Sequence, residues 1–181
     1  MSFRIHITGA CGSGTSTLGR ALATRLGIRQ IESDDLMWEP TDPPYQTLRD
    51  RAARQPLLIA ATEAEAWVLS GSINSWGDAA VPRFHLVVLL SAPTEIRLER
   101  LRKRELERFG AEALAPGGVM HQNHVDFIAY AARYDEGGLD IRSRALHEAW
   151  VATLPCPVLR LDGLLPTEDQ VERVLEALTA T

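Results

Sequence analysis

A glycine-rich stretch near the start of the chain, residues 9–17, has the residue types and spacing of a phosphate-binding loop. In the pattern G-x-x-x-x-G-K-[ST], Gly9, Gly14 and Ser16 occupy their expected positions, whereas Thr15 stands where the pattern requires lysine. Glycines let backbone N–H groups approach phosphate oxygens, and a hydroxyl at the last position is a ligand for magnesium. The stretch therefore predicts a polyphosphate site with magnesium on Ser16.

The missing lysine weakens this prediction without removing it. A hydrogen bond to a charged group contributes about 1.5–3 kcal/mol, and Thr15 cannot supply that charge. Backbone donors, magnesium and arginines from elsewhere could carry the remaining stabilisation. The residues expected to bind the phosphates are Gly9, Cys11, Gly12, Ser13, Gly14, Thr15, Ser16 and Thr17.

Two carboxylates follow the second predicted strand, residues 28–32. Asp34 and Asp35 fall where the carboxyl end of a parallel strand faces the loop. They could hold magnesium-bound water or accept a proton from an attacking hydroxyl, which makes both candidate catalytic residues. The alternative is that they cap the start of a helix.

A strongly charged helix is predicted from Thr94 to about residue 109. Arg100 and Arg104 share one face of it and are the preferred contacts for the phosphates, with Arg133, Arg142 and Arg144 as further candidates on the returning segment. The alternative is an ordinary solvated helix face. Glycine pairs at 117–118 and 137–138 flank part of this region, so residues 97–138 are predicted to be a movable lid.

Four residues are candidates for the acceptor side of the site. Arg49 could bind an anionic group through its guanidinium fork, although a solvated helix position is equally plausible. Trp38 and Trp76 could stack on a substrate, or simply pack in the protein. Ser72 lies in a turn-forming stretch, residues 71–78, that is rich in hydrogen-bonding groups.

Strands and helices alternate along the whole chain, which predicts a parallel sheet covered on both faces. We expect an α/β, three-layer α/β/α sandwich with five parallel strands. Thr94 and Asp140 are predicted to cap helices, and Pro56 is predicted to interrupt a helical stretch over residues 48–66.

The stretch from Ile7 to Leu18, together with Asp34-Asp35 and the segment from Ala92 to Leu101, resembles the nucleoside monophosphate kinase superfamily, which includes adenylate and cytidylate kinases. The resemblance implies the P-loop nucleoside triphosphate hydrolase fold over nearly the whole chain, and ATP with Mg²⁺ as cofactors. It also suggests that Asp162-Gly163 borders the purine ring. It does not fix the acceptor, because shikimate, gluconate and other small-molecule kinases share the scaffold.

We therefore expect an ATP-dependent phosphotransferase whose first-choice acceptor is a nucleoside monophosphate. The alternatives are a small-molecule hydroxyl kinase and a nucleotide-binding regulatory protein without turnover, which the threonine at position 15 favours. The expected partner is a small-molecule substrate, and the chain is expected to be a monomer or homodimer.

Bulk properties limit the other classes. The 181 residues and a net charge of −5 predict a single domain, residues 1–181, and disfavour nucleic acid or an anionic membrane as partner. Two cysteines are too few for a disulfide framework, and no stretch approaches the length of a transmembrane helix. We expect a soluble cytoplasmic protein.

Overall fold

A computed structural model describes residues 3–179, and its centre is a sheet of five parallel strands. The spatial order is β2-β3-β1-β4-β5. The strands are β1 (Arg4–Gly9), β2 (Arg29–Glu32), β3 (Trp67–Ser70), β4 (Leu86–Ser91) and β5 (Val158–Asp162).

Helices connect the strands and give the α/β class that the alternation predicts. They are α1 (Thr15–Leu26), α2 (Ser33–Met37), α3 (Arg51–Ala61), α4 (Thr94–Leu114), α5 (His121–Ala132), α6 (Arg144–Val151) and α7 (Thr167–Thr179), with a 3-10 turn at Asp78–Arg83. Within the described residues, no helix is both long enough and apolar enough to cross a membrane.

Two apolar cores lie on opposite faces of the sheet. Ile5 and Ile7 of β1 are fully buried against α1 and α7 on one face. Leu69 of β3 and Val87 of β4 point to the other face, where Leu58 of α3 joins them. Strands that are covered on both sides read as nearly continuous apolar runs, as β4 does. The predicted three-layer arrangement is confirmed.

The strand register brings the functional segments to one edge of the sheet. Gly9, the last residue of β1, pairs with Leu90, and Glu32, the last residue of β2, pairs with Ser70. Because the strands are parallel, their carboxyl ends meet at this edge. The glycine loop and the acidic segment after β2 are therefore neighbours.

Two local predictions are wrong in this part of the fold. Pro56 lies inside one continuous helix, α3, on its exposed face, where the carbonyl left without a donor can bond to water. The cap of α4 is Pro93 rather than Thr94, because the Thr94 hydroxyl donates to Asp135.

A third local prediction, that Asp140 caps a helix, is also wrong. Helix α6 begins later, and Ser143 is its cap, accepting a hydrogen bond from the backbone N–H of Leu146 at 3.0 Å. The charged helix is predicted to end at about residue 109. The structure has a break next to that position, where Gly110 interrupts α4 with a φ of 78°.

Candidate active site

The glycine loop adopts the conformation that its sequence predicts, between the end of β1 and the first residue of α1. Gly12 and Gly14 have φ values of 81° and 106°, which side chains rarely tolerate. A Cβ atom at Gly12 would also lie 2.6 Å from the carbonyl oxygen of Arg97. The loop therefore needs glycine at both positions to keep its backbone N–H groups in this tight turn.

Within the loop, Ser13 is fully buried and its hydroxyl has no hydrogen-bond partner. An unpartnered buried hydroxyl costs free energy unless a ligand or water satisfies it. Thr15 and Ser16 follow at the start of α1, both half-buried, and Thr17 is exposed. A phosphate oxygen is a natural partner for the Ser13 hydroxyl.

Ser16 is linked to the acidic end of β2. Its hydroxyl donates to Oε2 of Glu32 at 2.9 Å. The Gln30 side-chain amide lies 2.6 Å from the other carboxylate oxygen of Glu32 and 3.0 Å from the Ser16 carbonyl oxygen. These contacts hold the Glu32 carboxylate against the first turn of α1.

Two further carboxylates influence the Glu32 carboxylate that this hydroxyl contacts. Burial raises the pKa of Glu32, and the charges of Asp34 and Asp35 raise it further, against the opposing hydrogen bond from Ser16. Asp34 and Asp35 lie in the first turn of α2 and are both exposed. The charges of Asp34 and Asp35 therefore act on the Glu32 carboxylate that accepts from Ser16.

The oxygen atoms of Ser16 and Glu32 suit magnesium, which needs few protein ligands, better than a metal ion that is bound by protein side chains alone. Among residues 3–179, no group of three or more histidine, cysteine, aspartate and glutamate side chains could hold a metal ion. Magnesium commonly uses one or two protein oxygens and completes its shell with water and phosphate. Ser16 and Glu32 would hold it, and when bound it would neutralise charge on the phosphates.

Two arginines of α4 contact backbone carbonyls of the loop. Arg97 is fully buried, donates to the Cys11 oxygen at 3.3 Å and pairs with Asp135. Arg100 is exposed and donates to the oxygens of Gly12 at 3.4 Å and Gly163 at 3.2 Å. Arg100 therefore joins the loop to the turn after β5.

Arg104 lies farther along α4 than the contacts with the loop. Its guanidinium stands over the Phe127 ring of α5, 5.9 Å from the ring centre. This contact packs α4 on α5. The structure thus brings Arg100 to the loop and places Arg104 on the neighbouring helix.

A third arginine reaches the loop from the segment between α5 and α6. Nη2 of Arg142 donates to the Gly9 oxygen at 3.1 Å, while its Nε is buried without a partner. Burial lowers the pKa of Arg142, but interactions with nearby acidic groups, among them Asp34, outweigh this effect and raise the pKa overall. The arginine therefore stays charged beside both the loop and the acidic segment.

On the acceptor side, Arg49 is engaged within the protein. It pairs with Glu39 at 3.0 Å and donates to the carbonyl oxygens of Leu36 and Trp38 at 3.1 and 3.0 Å. The half-buried Trp38 ring meets the Tyr45 ring edge-on at 5.9 Å. Arg49 thus braces this loop, and Trp38 stays partly accessible.

The other two acceptor candidates are buried. Trp76 is only 4% exposed and packs in the core beside Leu58, although its indole N–H has no partner. The Ser72 hydroxyl donates to the side-chain oxygen of Asn74 at 2.8 Å. The amide nitrogen of Asn74 is also buried without a partner. The turn therefore has two unpartnered donor groups, the Asn74 amide and the Trp76 indole N–H.

A buried histidine, His147, links the end of β1 with the turn after β3. Nε2 of His147 lies 3.3 Å from the hydroxyls of Thr8 and Ser72, and Nδ1 lies 2.8 Å from the Tyr134 hydroxyl. Burial, and then the positive charges of Arg142 and His6, lower the pKa of His147 to about 3. A neutral imidazole therefore connects the residue before the glycine loop with the turn after β3.

Sequence reasoning missed two of these residues, Glu32 and His147. Glu32 is the last residue of a predicted strand, and that position at the carboxyl end of the sheet was the available signal. His147 gave no local signal, because its partners lie 13, 75 and 139 residues away in the chain.

A family model described as an AAA domain matches residues 5–113, which span β1, the glycine loop and most of α4. The chain belongs to this AAA domain family. Together with its kinase relatives, this match makes the chain a P-loop kinase-type protein.

Three curated relatives carry the resemblance. The chain is 43% identical over 181 residues to a Bacillus subtilis (strain 168) protein named "Uncharacterized protein YqaC", with 99% of each chain covered. It is 34% identical over 109 residues to a shikimate kinase of Geobacter sulfurreducens, covering 54% of this chain and 60% of that one. It is 24% identical over 160 residues to a cytidylate kinase of Methanoregula boonei, covering 80% and 81%.

Among solved structures, the shikimate kinase of Bacteroides thetaiotaomicron superposes with a TM-score of 0.59 at 19% identity, covering 98% of each chain. This similarity supports the fold. The enzyme class that the sequence predicts, a kinase, is confirmed, whereas the predicted site residues stay predictions.

Proposed function

We propose that the chain transfers the γ-phosphoryl group of ATP, with magnesium, to a small acceptor bound between the glycine loop and α2. The observation that carries this proposal is the 2.9 Å hydrogen bond from Ser16 to Glu32. It joins the loop hydroxyl that binds magnesium in P-loop enzymes to a carboxylate at the end of a neighbouring strand. A carboxylate held beside that hydroxyl supports a metal–nucleotide complex in this loop.

In the proposed reaction, an acceptor oxygen forms a bond to the γ-phosphorus. The bond from this phosphorus to the oxygen that bridges the β- and γ-phosphates breaks, and the electron pair stays on that oxygen, so ADP leaves. With a hydroxyl acceptor, one proton must also be removed. Asp34 is the proposed base, because it is exposed and lies at the end of β2 beside Glu32 and Arg142.

The contacts of Arg49 favour a hydroxyl acceptor over the nucleoside monophosphate expected from the sequence. A phosphate-bearing acceptor needs free cations on its side of the site. Arg49, the candidate for that role, is already held by Glu39 and two carbonyl oxygens. A base such as Asp34 is needed by a hydroxyl acceptor and not by a phosphate acceptor.

A nucleoside monophosphate remains the second candidate because of one aromatic cluster. Trp38 contacts Tyr45, and the Arg108 guanidinium stands 4.8 Å from the centre of the Tyr45 ring. Aromatic planes with a nearby cation suit a nucleobase and its phosphate. The names of the curated relatives include one kinase of each acceptor class.

The same proposal treats residues 1–181 as one domain, of which 97–138 act as a lid over the nucleotide. Residues 1–2 and 180–181 lie outside the described residues. Gly110 and Gly117 have positive φ values, and a Cβ atom added at either would meet nothing within 4 Å, which suits hinges. Hydrogen exchange of residues 111–138 should slow when ATP and magnesium are added, and unchanged exchange would argue against closure.

The decisive experiment is a transfer screen with γ-labelled ATP and magnesium. One panel holds small polyols and hydroxy acids, and the other holds nucleoside monophosphates. We expect label on a hydroxyl compound and about 10²- to 10⁴-fold slower transfer by Asp34→Asn, with ATP binding retained. The control is Asp169→Asn, an exposed acid on α7 away from the loop. Label only on monophosphates would select the second candidate, and binding without transfer to either panel would indicate a regulatory protein.

A further inference from the structure

The charge missing at position 15 has a candidate source in the fold. We propose that Arg142 replaces the P-loop lysine, reaching the phosphates of the nucleotide from the segment between α5 and α6. This inference rests on the proposed function, because it assumes that the loop binds ATP. It assigns to Arg142 the positive charge that a lysine would supply at the position of Thr15.

The side chain at position 15 cannot fill that role itself. Thr15 is half-buried in the first turn of α1 and carries a short neutral hydroxyl. The other two arginines on the loop are each committed to at least two contacts. Arg97 is fully buried, pairs with Asp135 at 3.4 Å and donates to the Ala92 oxygen at 3.1 Å. Arg100 already bridges two carbonyl oxygens and is exposed.

Arg142 differs from both, because its charge has no partner among the described ion pairs and one of its N–H groups has no acceptor. None of the ion pairs among residues 3–179 includes it. Its Nη2 donates to a neutral acceptor, the Gly9 oxygen, at 3.1 Å, and its Nε is buried without a partner. Its buried Nε belongs to a positive charge that pairs with no carboxylate among the described residues, and buried charged groups are normally paired or bound to a ligand.

The position of Arg142 suits the transferred phosphoryl group. Its contact with Gly9 puts it at the first residue of the glycine loop, and the charge of Asp34 acts on it from the acceptor side. The guanidinium can exchange the neutral carbonyl for a phosphate oxygen, since a hydrogen bond between charged groups is about twice as strong. Its fork can also bind two phosphate oxygens at once, as an ammonium cannot.

A charge-relocation experiment tests this assignment. Binding of a non-hydrolysable ATP analogue with magnesium is measured by calorimetry for the wild type, Arg142→Ala, Thr15→Lys and the double variant. Arg142→Ala should weaken binding roughly 10- to 100-fold, and adding Thr15→Lys should restore most of it. Thr15→Lys alone should strengthen binding far less, because the wild type already has its cation. Arg173→Ala, which removes an exposed charge on α7, is the matched control.

Arg142→Lys guards against a folding defect, because it keeps the charge and should bind within about tenfold of the wild type, whereas Arg142→Gln should not. Two results would overturn the inference: Arg142→Ala binding as tightly as Arg173→Ala, or a folded double variant that stays as weak as Arg142→Ala. Absence of binding by the wild type would instead refute the proposed function. The two failures are therefore distinguishable.

Discussion

Mild acid should destabilise the chain through two buried histidines, His147 and His6. Both are fully buried, and burial is the main cause that lowers the pKa of His147 to about 3 and that of His6 to about 4. In the unfolded chain each returns to its ordinary value of 6.5. Between these values the unfolded state binds more protons, so stability is present above pH 6.5 and is lost as the pH falls.

The expected loss follows from the size of the pKa differences. A pH of 5 lies about 1.5 units below the pKa of an unfolded histidine, so protonation stabilises the unfolded state by about 1.36 kcal/mol for each of those units. Neither folded histidine is much protonated at this pH. Each histidine therefore costs about 2 kcal/mol relative to pH 7.5, and the two together about 4 kcal/mol. Against a total stability of about 5–15 kcal/mol, that loss is easily measured.

Urea unfolding at pH 7.5 and pH 5 measures it, with His147→Gln as the informative variant. Glutamine keeps a polar group between Thr8 and Ser72 but does not titrate, so the variant should lose about 2 kcal/mol less than the wild type over the same interval. His6→Gln should behave similarly, and the double variant should lose least. A pH dependence in His147→Gln equal to that of the wild type would refute the assignment of a neutral buried imidazole.

Three further predictions concern the site and the fold. Ser16→Ala should weaken ATP binding in magnesium but not in EDTA, whereas Ser16→Thr keeps the hydroxyl and should resemble the wild type; equal loss in both media would exclude a metal role. Ser143→Ala removes the cap of α6 and should cost about 1 kcal/mol in urea unfolding, while Asp140→Ala should be nearly neutral, and the reverse order would restore Asp140 as the cap. Leu22→Ala in the core under β1 should cost about 2–5 kcal/mol, and a loss comparable to that of the exposed Leu164→Ala would contradict its burial.

The sheet could be predicted from the sequence because its signals are local. Continuous apolar runs such as residues 86–90 identify buried parallel strands, and the glycine loop marks the change from β1 to α1. Patterns of this kind depend only on neighbouring residues. The alternation of strand and helix then leaves few possible topologies.

The errors arose where the outcome depends on more than the local stretch of sequence. Thr94 looks like a helix cap, but Asp135 takes its hydroxyl from 41 residues away. Pro56 looks like a break, yet its lost hydrogen bond lies on an exposed face of α3. The link between Ser16 and Glu32 depends on the register of β2 beside β3 and of β3 beside β1, which no single stretch of sequence contains.

Thermal unfolding with and without ATP and magnesium tests most directly whether a loop that carries threonine instead of lysine binds a nucleoside triphosphate. At a ligand concentration of about 100 times the dissociation constant, binding adds about 2.7 kcal/mol to the stability of the folded chain. For a chain of this size the Tm should rise by about 5–10 °C. No rise with ATP, or with any other nucleoside triphosphate, at millimolar concentration would contradict the account.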